Sequence, residues 1–224
     1  MPNRRAFLEQ VGAGAMLAAF PFTSSGAAES IPRETSNTSD AWDLSWTERV
    51  TGKYRAVFDV PEIESGYGVW RASVWKNQYV DVLKADPKEC SPVLVLRHNG
   101  IALAMNQKFW DEYALGKKNA VKHPVTEQLT DRNPALLSSA RKEQPAMFDG
   151  FALDKFLAAG GIALACDLAF ADMVTLVTKK HKGSEETARA TALSMLVPGV
   201  ILQPSGVFAA VRAQDVGCKY VRAS

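Results

Sequence analysis

Residues 160–166 read Gly-Gly-Ile-Ala-Leu-Ala-Cys, a short apolar run that ends in a cysteine, and a helical pattern starts directly after it. The run is a buried strand, and it delivers a thiol to the first turn of a helix. The partial positive charge of a helix N-terminus favours the thiolate, the reactive form of cysteine. The unit then repeats. Residues 200–203 form a second buried strand, Pro204-Ser205-Gly206 opens another helix, and residues 218–221 close as a last strand. Upstream, residues 54–60 give a first strand that Pro61 ends. Pro92-Val93-Leu94-Val95-Leu96-Arg97-His98 is almost continuously apolar, as expected of an inner parallel strand covered on both faces.

Helical patterns fill the intervals. One covers residues 62–85, with Tyr67, Trp70, Val74 and Val82 at near-helical spacing on its expected buried face. Others cover 108–115, 151–159 (stopped by Gly160-Gly161), 167–180, and a stretch ending at 196 that Gly183-Ser184-Glu185-Glu186 caps. Residues 101–105 read as a short extension of the second strand. Alternating strands and helices build a three-layer α/β/α sandwich on a five-stranded, mainly parallel sheet with right-handed crossovers. Residues 116–147 form a long irregular insertion after the second strand. It carries Lys117, Lys118, Lys122, Arg132, Arg141 and Lys142 against Glu127, Asp131 and Glu143. Loops of this length in compact domains are lids, binding loops or oligomer contacts.

The 224 residues fit one domain with a large insertion, and a formal charge of +2 with no basic stripe points away from a nucleic-acid partner. The N-terminus is set apart from the fold. Asn3-Arg4-Arg5-Ala6-Phe7-Leu8 resembles a twin-arginine export signal, an apolar stretch over residues 11–22 follows, and small residues lead to a cleavage point after Ala27 or Ala28. That stretch is too short for an ordinary membrane span. Residues 1–28 are therefore expected to be a signal and 29–45 a disordered linker. Trp42 and Trp46 mark the start of order, with the α/β domain over 46–224. The mature protein is expected in the periplasm, with the twin-arginine translocase as its partner during export. Three cysteines with no CxxC or zinc-like spacing give no structural metal site. Cys90 and Cys218 fall at strand starts on opposite sides of the sheet, too far apart for a disulfide.

From Phe151 onward the chain resembles the DsrE/DsrF-like family of sulfur-metabolism proteins. The residues that carry the likeness are Gly161-Ile162-Ala163-Leu164-Ala165-Cys166, Leu196-Val197-Pro198-Gly199-Val200, Pro204-Ser205-Gly206-Val207 and the ending Ala213-Gln214-Asp215-Val216-Gly217-Cys218-Lys219-Tyr220-Val221. Tyr54 to Asp59 and Val93 to Gly100 fit the family's first two strands more loosely. The resemblance implies a flavodoxin-like five-stranded sheet, frequent assembly as trimers or hexamers, and a cysteine that carries persulfide sulfur in some members; no cofactor is expected. The long basic insertion and the export signal depart from the cytoplasmic sulfur-relay members.

In an open α/β sheet, ligands sit beyond the carboxyl ends of the strands. Asp59, His98, Cys166, Gln203 and Ser205 all fall at that edge, with Asn99 in the turn after His98. Cys166 reads as a nucleophilic or sulfur-carrying thiol, or as a small buried hydrophobe. His98 reads as its activator or as a hydrogen-bonded structural histidine. Asp59 and Ser205 read equally as turn and cap residues. The expected function is binding or transfer of a small sulfur species through Cys166. The alternative is a non-catalytic oligomeric binding or scaffold protein of the cell envelope. A third reading makes Lys117 and Lys118 part of a lid over an anionic metabolite.

Overall fold

The computed structural model describes residues 42–137 and 152–224. Its frame is five strands: β1 (Tyr54–Val60), β2 (Cys90–Leu96), β3 (Ile162–Cys166), β4 (Val200–Gln203) and β5 (Lys219–Arg222). Every residue of β2 and β3 is buried, which is why both read as unbroken apolar runs. All pairings are parallel, in the order β4-β3-β2-β1-β5. The chain steps outward from β1 to β4, one strand at a time, and then crosses back to place β5 on the free side of β1.

Strand alternation divides the interior into two layers. On one face Ala56, Phe58, Val60, Leu94, Leu96, Ala163 and Ala165 meet helices α1 (Tyr67–Leu83), α4 (Leu153–Ala158) and α5 (Asp167–His181). On the other face Val57, Val93, Val95, Ile162 and Leu164 meet α7 (Gly206–Asp215) and the side chain of Trp46. Helix α7 presents Ala209, Ala210 and Ala213 to the sheet, so its backbone lies close to all five strands. Helices α2 (Gln107–Tyr113), α3 (Leu115–Lys118) and α6 (Glu185–Ser194) complete the larger layer. The result is a three-layer α/β/α sandwich. Among the described residues no helix is long and apolar enough to cross a membrane.

Three sequence expectations shift in detail. β2 begins at Cys90 and stops at Leu96, and residues His98–Ala104 form a 3-10 helix instead of a strand extension. The cause is a close approach: the Gly100 N–H donates to Pro61 O at 2.9 Å, and a Cβ on Gly100 would stand 2.1 Å from Val60 O. Only Met105 makes a strand-like contact, a single antiparallel bridge to Leu196. Helix α1 buries Gly68, Val69 and Ala72, while Tyr67, Trp70 and Val74 are half-buried and Val82 is 74% exposed. Its face is set by aromatic contacts of Trp75 with Phe58 and of Tyr79 with Tyr54 (centroids 5.8 and 5.0 Å), which the spacing pattern alone does not reveal.

The described part of the insertion, 116–137, is held by backbone bonds and by one buried side chain. Lys122 and Leu129 form an antiparallel bridge. Asn133, fully buried, donates to Leu103 O and Met105 O and accepts from the Ala135 N–H. The export signal, the linker up to residue 41, and positions 138–147 with Arg141, Lys142 and Glu143 lie outside the described residues. The chain is docked by Asp43, whose carbonyl accepts from the Gln203 amide at 2.8 Å.

Candidate functional site at the carboxyl edge of the sheet

Cys166 ends β3 and pairs in register with Gln203, the last residue of β4. From these two positions the chain leaves to opposite faces, β3 into α5 and β4 into α7. Connections that diverge in this way open a crevice at the strand ends. A cleft of about 290 Å³ lies there, lined by Cys166, His98, Ser205, Arg97, Leu168 and Asp172 among others. Three of the residues expected from sequence, Cys166, His98 and Ser205, therefore meet in one place.

Cys166 is the N-cap residue of the fifteen-residue helix α5, and its exposure of 6% is directed at the cleft it lines. Ser205 caps α7 by accepting the Phe208 N–H at 3.0 Å. Two helix N-termini thus flank the cleft, each a source of partial positive charge. His98 stands on the rim with its imidazole 63% exposed and Nδ1 3.2 Å from Glu62 Oε1. Its backbone is left-handed, φ 49°, where the chain turns out of β2.

Arg97 is the residue that sequence reasoning did not single out. Its Nε and Nη2 donate to the two oxygens of Asp59, both at 2.7 Å, and the Tyr220 hydroxyl donates to Asp59 Oδ2 at 2.6 Å. Asp59 is 2% exposed, so its charge is matched by a bidentate guanidinium, the geometry that best offsets desolvation. The bond to Asp59 raises the pKa of Arg97 above its ordinary value, and likewise that of Tyr220. The network ties β1, β2 and β5 together and fixes Arg97 at the cleft wall. Gly206 makes room for it: a Cβ there would meet the Arg97 Cβ and Cδ at 2.5 Å. The available signals were a charge closing an inner apolar strand and a glycine directly after the Ser205 cap.

The other expected residues lie apart from the cleft lining. Asp59 sits behind Arg97. The Asn99 amide donates to Glu62 Oε2 at 2.9 Å on the outer surface. Gln203 is fully buried; its Oε1 accepts from the Trp46 indole at 3.1 Å and its Nε2 donates to Asp43 O and Leu202 O. It fastens the start of the described chain to the sheet. Lys117 lines a separate cavity with Leu129 and Asp131, and no residue of 116–137 lines the cleft. His123 Nδ1 accepts the N–H groups of Val125 and Thr126, so that ring organises its own turn.

The remaining thiols differ from Cys166. Cys90 begins β2 in phase with Leu94 and Leu96, whereas Cys218 packs in the opposite layer, and all three cysteines are free. Burial pushes the Cys218 thiol up to about 11 and raises Cys90 as well. A scan against protein-family models finds no match, and a search of curated proteins finds no relative.

Proposed function

We propose that this protein binds or transfers a small sulfur species through Cys166. The observation that carries the reading is the convergence of Cys166, His98, Arg97 and Ser205 on one cleft between diverging strand ends. The chemistry is a redox-neutral exchange. The Cys166 thiolate attacks the outer sulfur of a donor persulfide; a new S–S bond forms, the donor's S–S bond breaks, and the donor leaves as a thiolate. His98, exposed on the rim, would exchange a proton with solvent, and the N-terminus of α5, which Cys166 caps, would favour the sulfur anion. The likeness of residues 151–224 to DsrE/DsrF-like proteins supports the same chemistry, and the twin-arginine motif supports a periplasmic setting. The test is incubation with a small-molecule persulfide followed by intact-mass measurement. A sulfur adduct on the protein that Cys166→Ser abolishes supports the reading; an adduct that persists in the variant contradicts it.

A second reading is an oligomeric binding or scaffold protein, with trimers or hexamers expected. It is favoured by Leu168 and Val207, 73% and 68% exposed at the mouth of the cleft, with Val211 half exposed further along α7. Here Cys166 would stay unmodified while the apolar rim meets another subunit. Sedimentation of Leu168→Glu against the parent separates the two: dissociation with no sulfur adduct in either protein would support this second role.

A further inference from the structure

We infer that the opposite, amino-terminal edge of the sheet holds a second binding site, for a single-ring aromatic anion such as an aryl phosphate or aryl carboxylate. A cavity of about 310 Å³ opens there beside β1 and β5. Its walls include three aromatic side chains, Tyr54, Trp75 and Tyr79, and three cations, Lys53, Arg55 and Lys219, with no acid among the described residues that line it. The aromatic groups form one contiguous surface: Tyr54 and Tyr79 meet edge to face at 5.0 Å, and Trp75 and Tyr79 lie 4.8 Å apart.

The cations are available to a ligand. Arg55 donates from Nε to Gly52 O at 2.6 Å and from Nη1 to Val216 O at 2.9 Å, which fixes the guanidinium without neutralising it. Gly217, at φ 89°, lets the backbone pass close to that group. Lys53 lies 5.0 Å from the Tyr54 ring centroid. Among the described residues none of the three makes an ion pair. Glu89, whose charge reaches Lys53, is outside the lining and accepts the Asp86 N–H at 3.2 Å.

Size and charge then select the ligand. Drug-sized ligands occupy pockets of about 300–1,000 Å³, so this cavity takes one ring and its acid group and not a dinucleotide. Aromatic walls supply stacking and the cations supply charge pairing, so neither an inorganic anion nor a neutral ring satisfies both. The seven residues of β1 separate this edge from the thiol cleft by about 20 Å, so the site is independent of the sulfur reading.

The test uses the full chain and phenyl phosphate, with inorganic phosphate and phenol as controls, followed by calorimetry and by NMR of the Trp75 indole N–H. Expected are saturable binding of phenyl phosphate, shifts centred on Trp75, and affinity weaker by about 10-fold for each control. The exposed-lysine variant Lys53→Gln/Lys219→Gln should weaken binding by at least about 10-fold while leaving the fold intact, and salt should do the same in the parent. Absence of saturable binding, equal affinity for inorganic phosphate, or an unchanged double variant each overturns the proposal.

Discussion

Cys166 and Cys218 are equally hidden, 6% and 5% exposed, yet they occupy opposite chemical situations. Cys218 precedes an edge strand at the amino end of the sheet, packed in the layer that α7 covers, and burial pushes its thiol up to about 11. Cys166 ends an inner strand, heads a helix, and lines a cleft that also holds Arg97 and His98. Fractional exposure therefore does not distinguish the two positions. Position along the strand does, because the carboxyl end is where the parallel sheet opens between diverging connections.

The largest expected effect on this contrast is loss of function by the smallest change. Cys166→Ser removes one polarizable atom and should abolish sulfur loading, measured by intact mass, whereas Cys218→Ser should leave loading unchanged.

Next is the network behind the cleft. Asp59→Ala leaves Arg97 without its carboxylate. Breaking a buried pair costs about 3–5 kcal/mol, and Arg97 is about one-third exposed and can rehydrate, so a loss of about 2–3 kcal/mol is expected in urea unfolding. The same variant should lower the rate of Cys166 loading and spare the burial of Cys218.

Cys218 supplies a pH signature. Because burial raises its folded pKa from 9.0 to about 11, the protonated thiol favours the folded state. That contribution is complete below pH 9 and is lost as pH rises through about 11, by an amount on the order of 2–3 kcal/mol. Unfolding measured at pH 8 and pH 10.5 should show a steeper fall for the parent than for Cys218→Ala. Equal slopes would mean that Cys218 is not held in the protonated form by the fold.

The smallest effect is at the second helix start. Ser205→Ala removes the cap that accepts the Phe208 N–H and should cost about 1 kcal/mol, with the cleft thiol still present.

Much of this arrangement was legible in the sequence, for identifiable reasons. β1 and β4 lie where their β-branched and apolar runs place them, and the Cys166 junction is marked by an apolar run meeting a helical pattern. Residues 101–105 misled because the buried part of a 3-10 helix, Gly100–Ala104, and a buried strand share the same apolar composition. Val82 misled because helical spacing does not say which of several apolar stripes faces the sheet. In the site, Cys166, His98 and Ser205 followed from strand ends. Gln203 also sits at a strand end, but its side chain is engaged by Trp46 and Asp43 from more than 150 residues away in sequence. Arg97, Asp59 and Tyr220 form a contact across three strands, and such a contact leaves no local pattern to read.

The most direct test of the account is thiol labelling of the native protein with peptide-resolved mass spectrometry. Cys166 is expected to be modified in the folded state, and Cys90 and Cys218 only after denaturation. A Cys166 protected to the same extent as the other two would contradict it.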